Sequence, residues 1–80
     1  MLKSLNQLKP DERGVITAIN GGQSLINRLN ALGIRPGKII TKVSSMFMHG
    51  PVTVQIDRSQ VAIGLGMAKK ILIRTDREEE

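Results

Sequence analysis

The sequence predicts an all-β domain with one short helix, folded as a small five-stranded barrel. Five short segments rich in β-branched residues are separated by turn-forming residues, whereas only one segment, residues 24–33, has the spacing of an amphipathic helix. All of these segments fit into 80 residues. An open sheet in so small a domain would expose its edge strands, and closing the sheet into a barrel removes those edges.

The first predicted strand follows a lead-in segment. Residues 1–12 are predicted to form this lead-in, which ends with residues 8–12 and closes with a turn, because proline fixes its own φ and acidic residues suit turn positions. Residues 13–20 are predicted to form the strand, which ends at Gly21 and Gly22. Its β-branched residues are Val15, Ile16, Thr17 and Ile19.

The next segment has one apolar face and one polar face, as expected for a short helix that covers an end of the barrel. We expect Ser24 to cap its N-terminus, and Gly33 to adopt a left-handed conformation just after its last turn, with Ile34 packing back on the helix. The apolar stripe consists of Leu25, Ile26, Leu29 and Leu32.

Tight turns and short strands are predicted for the second half of the chain. Pro36 and Gly37 occur in the order that a type II turn prefers. The segment 46–51 is predicted to connect two strands of a hairpin, and the strand after it alternates apolar and polar residues, so that one of its faces contacts water. The predicted strands in this half are residues 39–45, 52–57, 61–63 and 71–73.

Residues 61–70, VAIGLGMAKK, place two glycines beside two lysines, which raises the question of a phosphate-binding loop. A dinucleotide-binding loop needs a third glycine where Lys69 stands, and a Walker A loop needs Ser or Thr after its lysine. Only eleven residues follow Lys69, too few for the helix and strand that such loops require. We therefore predict that Gly64 and Gly66 form a sharp turn at a corner of the barrel.

These elements favour an SH3-like barrel, with a usually longer OB-type barrel as the second choice. Residues 1–75 are predicted to form the domain. Residues 76–80 contain four acidic residues and one arginine, a net charge of −3, and are predicted to be a disordered tail.

Charge and aromatic content limit the classes of function. The net charge of +5 suits nucleic acid, anionic lipid headgroups or an acidic protein partner, or simply keeps a small domain in solution. Phe47 is the only aromatic residue, which disfavours single-stranded nucleic acid and proline-rich peptides as ligands. The chain has no cysteine and no apolar run long enough to span a bilayer, so we expect a soluble cytoplasmic protein without direct membrane insertion.

Four segments of the chain resemble the FeoA family. They are LKPDERGVITAINGG (residues 8–22), LNALGIRPGKII (29–40), GPVTVQI (50–56) and VAIGLGMAKKILI (61–73), and the resemblance runs from about Leu5 to Arg74. The family often has glycine after the proline of the first turn, where this chain has Asp11, a residue that also tolerates turn geometry.

The resemblance implies an SH3-like domain that acts as an adaptor for the membrane permease FeoB, which carries a cytoplasmic GTPase domain and the iron-conducting pore. Similar domains also occur at the C-terminus of metal-dependent repressors. The expected function is therefore a non-catalytic adaptor or regulator of ferrous iron uptake. The alternatives are an SH3-like metal-linked regulatory or nucleic-acid-binding module, and an iron-binding chaperone.

The residue types argue against catalysis and against a strong iron site. The chain has no Cys, Tyr or Trp, and no serine has an obvious base nearby in sequence. Met46, Met48 and His49 lie close together, but thioethers suit Cu(I), and a lone imidazole is a poor Fe(II) site. We expect no required cofactor and no small-molecule substrate. Weak or incidental zinc or nickel contact at His49 remains open.

Two segments are candidates for partner binding. Met46, Phe47 and Met48 would present adaptable apolar surface at a hairpin tip, although Phe47 would equally serve to close the end of the barrel. The helix is the second candidate, through Leu25 and Leu29. Neither segment indicates whether the chain forms oligomers.

Overall fold

Six strands and two helices make up the computed structural model, which describes residues 1–44 and 50–76. The helices are α1 (Gln23–Ala31) and the single turn α2 (Leu65–Ala68), and a 3-10 turn covers Leu5–Gln7. The strands are β1 (Leu2–Ser4), β2 (Arg13–Ile19), β3 (Ile39–Ser44), β4 (Val52–Ile56), β5 (Ser59–Ile63) and β6 (Ile71–Arg74).

The strands form one antiparallel sheet in the order β1-β6-β2-β3-β4-β5. This arrangement confirms the prediction of a mostly-β domain, in which α1 is the predicted short helix and α2 is a single additional turn. Two details of the prediction are wrong. The lead-in contains a sixth strand, β1, which is extended because it pairs with β6 rather than because of β-branched residues. The sheet is also not closed: β1 and β5 are its edges, and their short lengths limit the exposed edge instead.

The sheet has an inner face, which packs into the core, and an outer face. The alternation of buried and partly exposed residues in β4 shows this division most clearly, as its sequence predicted. Ala68 of α2 and residues from the lead-in and α1 complete the core. Its buried aliphatic residues are Leu5, Leu8, Ile16, Leu29, Ile34, Ile40, Val52, Val54, Ile56, Ile63, Ala68, Ile71 and Ile73.

Helix α1 ends as predicted but begins earlier. Gly33 has a φ of 88°. Its N–H donates to the carbonyl of Asn30 at 3.0 Å, and the N–H of Ile34 donates to the carbonyl of Leu29 at 2.9 Å. This is a Schellman motif, which satisfies carbonyls that the last turn leaves free. Gly22 rather than Ser24 is the N-cap. Neither helix of the described ranges is long and apolar enough to cross a membrane.

The apolar stripe of α1 is narrower than predicted. Leu29 is fully buried, and Leu25 is half-buried against the core. Leu32, however, is 41% exposed. The reason is that Leu32 is already the C-cap, where the backbone leaves helical geometry and no longer directs its side chain along the stripe.

Two proline turns precede strands β2 and β3. In the first, the N–H of Glu12 donates to the carbonyl of Lys9 at 2.9 Å, and Asp11 has a φ of 70°. In the second, the N–H of Lys38 donates to the carbonyl of Arg35 at 3.2 Å, and Gly37 has a φ of 94°. Both have the proline-then-positive-φ order of a type II turn. Asp11 therefore occupies a left-handed position that favours glycine, and aspartate is among the few other residues that tolerate it.

Candidate functional site

The structure describes only part of the predicted partner-binding set. Leu29 is fully buried, so its side chain offers no contact to a partner, and Leu25 is half-buried beneath the chain at Gly21. The hairpin residues Met46, Phe47 and Met48 lie outside the described residues. The helix therefore presents less apolar surface than the sequence suggested.

The predicted metal contact at His49 also lies outside the described residues. Within residues 1–44 and 50–76, no group of three or more His, Cys, Asp or Glu side chains is arranged to hold a metal ion. The described part of the chain thus offers no alternative site to His49, and the prediction of an incidental metal contact there stays a prediction.

The glycine-lysine segment forms the single helical turn α2 rather than a sharp corner. Gly64 has an extended conformation at its N-cap, and neither Gly64 nor Gly66 has a positive φ. The N–H groups of Met67 and Ala68 both donate to the carbonyl of Gly64, at 3.0 and 2.9 Å, so the turn itself uses them. Ala68 is buried. The segment therefore connects β5 to β6 and packs into the core through Ala68, whereas Gly64 and Gly66 are exposed.

A buried lysine joins the lead-in to the inner face of the sheet. Lys42 in β3 is only 6% exposed. Its Nζ donates to the carbonyl of Leu8 at 2.6 Å and to that of Asn6 at 3.3 Å. The backbone of Lys42 also bonds to Asp11 and Glu12, at 2.7 and 2.9 Å. Lys42 therefore fastens the lead-in over the core.

A carboxylate balances the charge of this region. Glu12 accepts from Nζ of Lys3 at 3.1 Å and from the backbone N–H of Lys9 at 2.9 Å, and the side chains of Lys3 and Glu12 are each 8% exposed. Burial lowers the pKa of Lys42, and the negative charge of Glu12 opposes this by favouring the ammonium. A lysine with a lowered pKa can be a nucleophile, but here residues 6–8 cover its Nζ, so its contacts indicate a structural role.

The outer face carries a row of side chains aligned by strand register. Leu2 in β1 lies opposite Arg74 in β6, and Arg74 lies opposite Val15 in β2. Val15 in turn lies opposite Ile39 in β3. We call these four residues the outer row. Because neighbouring strands are about 4.8 Å apart, the row spans about 14 Å.

Two of the aliphatic side chains in the outer row are well exposed. Leu2 is 60% exposed and Ile39 is 57% exposed, whereas Val15 between them is half-buried. Single exposed aliphatic residues are ordinary on protein surfaces, but residues aligned across four neighbouring strands form a continuous feature. The outer row is therefore a candidate contact surface.

A shallow cleft lies at each end of the outer row. The cleft beside Ile39 has a volume of about 420 Å³ and is lined by Gly37, Lys38, Ile39, Thr41, Gln55 and Asp57. The cleft beside Leu2 has a volume of about 350 Å³ and is lined by Met1, Leu2, Lys3, Gln7 and Lys9. The row thus connects two concave regions, which extends the surface available to a partner.

The outer row is positively charged. Arg74 lies within it, and Arg13 lies two residues before Val15 on the same face. Both arginines are exposed, and neither guanidinium forms an ion pair or hydrogen bond with a residue of the described ranges. At the end of the row, in contrast, Lys38 is neutralised by Asp57 at 2.9 Å. The row therefore combines aliphatic surface with the charge of Arg74, and Arg13 beside it is a second cation that no described residue neutralises.

The outer row was not predicted from the sequence, because its residues come from four different strands and are aligned only by the pairing register of those strands. The first and last of its residues in sequence, Leu2 and Arg74, are brought together by the pairing of β1 with β6. A partial signal was present in β2, where the alternation Arg13-x-Val15 marks one face, but nothing in the sequence places Leu2 and Ile39 on that same face.

The SH3-like prediction is supported by solved structures. A crystal structure of FeoA, described as an iron uptake regulatory protein, matches with a TM-score of 0.84 and 30% identity, covering 92% of this chain and 96% of that one. Stenotrophomonas maltophilia FeoA complexed with zinc, described as an SH3 domain protein, matches with a TM-score of 0.76 and 20% identity, covering 89% and 88%. The SH3-like fold is thereby confirmed.

Sequence comparison identifies the family. A protein of Campylobacter jejuni named "Putative Fe(2+) transport protein A" is 31% identical over 68 residues, which cover 85% of this chain and 92% of the relative. The family model described as the FeoA domain matches residues 3–75, nearly the whole chain. The resemblance found in the sequence is thus confirmed, and the chain belongs to the FeoA family.

Proposed function

We propose that this chain is a non-catalytic adaptor of ferrous iron uptake, which acts in the cytoplasm by binding the cytoplasmic part of a FeoB-type permease. The observation that carries the proposal is the match of the FeoA domain to residues 3–75. The names of the relatives support the link to iron. The C. jejuni relative is named for Fe(2+) transport, and S. maltophilia FeoA is described as a possible ferrous iron transport activating factor.

The geometry supports binding rather than catalysis. The lysine with a lowered pKa, Lys42, is covered by the lead-in, and the N–H groups of Met67 and Ala68 in α2 donate within that turn. The described surface instead offers the outer row, with its aliphatic residues and Arg74, and Arg13 beside the row. Such a surface suits recognition of another protein.

A direct binding measurement tests the proposal. The full chain would be titrated into the FeoB-type permease of the same organism, held in phosphatidylcholine nanodiscs, without nucleotide, with GDP and with a non-hydrolysable GTP analogue. Empty nanodiscs are the control. We expect saturable binding in at least one nucleotide state. Absence of binding in all three states, with a folded chain and an active permease, would refute the proposed partner.

A further inference from the structure

We propose that the outer row is the docking surface of this chain, and that its partner presents an acidic protein segment carrying aliphatic side chains. This inference rests on the proposed function, since it identifies that segment as part of the permease. It goes further by assigning the surface and the chemistry that the surface recognises. Three features of the outer face lead to it.

The first feature is the aliphatic content of the outer row. The outer face of a sheet that contacts water is normally polar. Here Leu2 and Ile39 are each more than half exposed, at opposite ends of one cross-strand row with Val15 between them. A partner segment laid across the strands would cover all three side chains at once. Each end of that segment would meet one of the two clefts.

The second feature is uncompensated charge. Arg74 is a member of the row, and Arg13 is adjacent to it on the same face. Asp76, just beyond β6, forms no ion pair with either arginine. Carboxylates of a partner would therefore gain contacts that no described residue supplies now. Arginine also forms bidentate pairs with carboxylates, so it would fix the orientation of the segment as well as attract it.

The third feature distinguishes a protein from other anionic partners. Attachment to a membrane through basic residues alone uses clusters of about four to eight Lys or Arg, whereas this face has Arg74 in the outer row and Arg13 beside it. Binding to duplex nucleic acid relies on several phosphate contacts, and exposed aliphatic side chains gain nothing from phosphates. An acidic segment with aliphatic residues satisfies both the charge and the apolar surface.

Paired variants of the full chain test the inference in the same nanodisc titration. Arg74→Glu reverses a charge of the outer row, and Arg58→Glu, at the exposed turn before β5, is its control with the same net charge. Ile39→Thr removes aliphatic surface from the row, and Leu32→Thr, at the exposed end of α1, is its control. Circular dichroism and thermal unfolding would verify that each variant folds.

We expect Arg74→Glu and Ile39→Thr each to weaken binding to the permease about tenfold or more, with both controls within about twofold of the wild type. Raising the salt concentration from about 50 to 300 mM should weaken the wild type more than Arg74→Glu. If all four variants bind like the wild type, the inference is wrong while the proposed function stands.

Two other outcomes also overturn the inference. If the wild type does not bind the permease in any nucleotide state, both the inference and the proposed function fall. If Arg74→Glu loses affinity for vesicles containing phosphatidylglycerol, or for duplex DNA, but not for the permease, the row recognises phosphate rather than an acidic protein segment.

Discussion

Strand β3 carries a lysine on the inner face of the sheet and an isoleucine on the outer face, which reverses the usual distribution. Lys42 is 6% exposed, whereas Ile39, three residues earlier, is 57% exposed. The cost of burying Lys42 is offset, because two backbone carbonyls accept hydrogen bonds from its Nζ and Glu12 supplies a negative charge. No comparable contact covers Ile39 among the described residues. The contacts of Lys42 give it a structural role, whereas Ile39 is left exposed on the surface that we propose for docking.

The largest effect on the free energy of unfolding should come from replacing an apolar residue on the inner face of the sheet. Ile40 follows Ile39 directly but is fully buried in the core. We expect Ile40→Thr to lower the free energy of unfolding by about 3 kcal/mol, because it removes buried aliphatic volume and buries a hydroxyl. Chemical denaturation would measure it. A loss below about 1 kcal/mol would show that the inner face of β3 is not part of the core.

The next largest effect on stability should come from Glu12, the carboxylate whose negative charge offsets the charges of Lys3 and Lys42. Glu12→Gln keeps the size of the side chain but removes the negative charge near Lys3 and Lys42. We expect a loss of about 2 kcal/mol, smaller than for a fully buried pair because the side chains of Lys3 and Glu12 retain some exposure. Asp57→Asn, which removes the same charge from the more exposed pair with Lys38, is the control and should cost less than about 1 kcal/mol. Equal losses of stability for Glu12→Gln and Asp57→Asn would show that the less exposed ion pair contributes no more than the exposed one.

The third prediction uses the lowered pKa of Lys42. Burial disfavours the ammonium in the folded chain, so the unfolded chain binds more protons at pH values between the lowered pKa and the ordinary lysine value of 10.5. Stability contributed by Lys42 should therefore rise with pH through this window, and it should be lowest where Lys42 is protonated in both states.

Comparison with Lys42→Met isolates this effect, because all other titrating groups are shared by the two proteins. At neutral pH we expect Lys42→Met to cost about 1 kcal/mol, since the carbonyl of Leu8 loses its donor while the burial of a charge is relieved. As the pH rises from neutral towards the ordinary lysine value of 10.5, the stability difference should move in favour of the wild type. Urea unfolding at each pH would measure the difference, and a constant or falling value would contradict the assigned cause.

Elements with local signals were predictable from the sequence. The alternation of Val52, Val54 and Ile56 identified β4, and Pro36-Gly37 identified the turn before β3. Local signals were insufficient where tertiary contacts decide the conformation. Leu2–Ser4 is a strand only through its pairing with β6, and α2 forms where two glycines suggested a corner. The sequence therefore predicted the fold class better than the number and pairing of its strands.

The candidate site was less predictable than the fold. The sequence pointed to apolar residues of the helix, but Leu29 is fully buried in the core, which the helical period alone does not distinguish from a contact surface. The outer row depends on two strand pairings between segments more than fifty residues apart, β1 with β6 and β2 with β6. A shift of one residue in either register would move a member of the row to the opposite face.

The smallest expected effect on stability is at Ile39, where we also expect a large effect on binding. Threonine favours strands as isoleucine does, and a side chain that is 57% exposed contributes little burial. Ile39→Thr should therefore change the free energy of unfolding by no more than about 0.5 kcal/mol, against about 3 kcal/mol for the same substitution at Ile40. Denaturant unfolding of the two variants side by side measures the contrast. If Ile39→Thr lost as much stability as Ile40→Thr, the side chain of Ile39 would be part of the packed structure. Its exposure would then give no reason to expect a partner there.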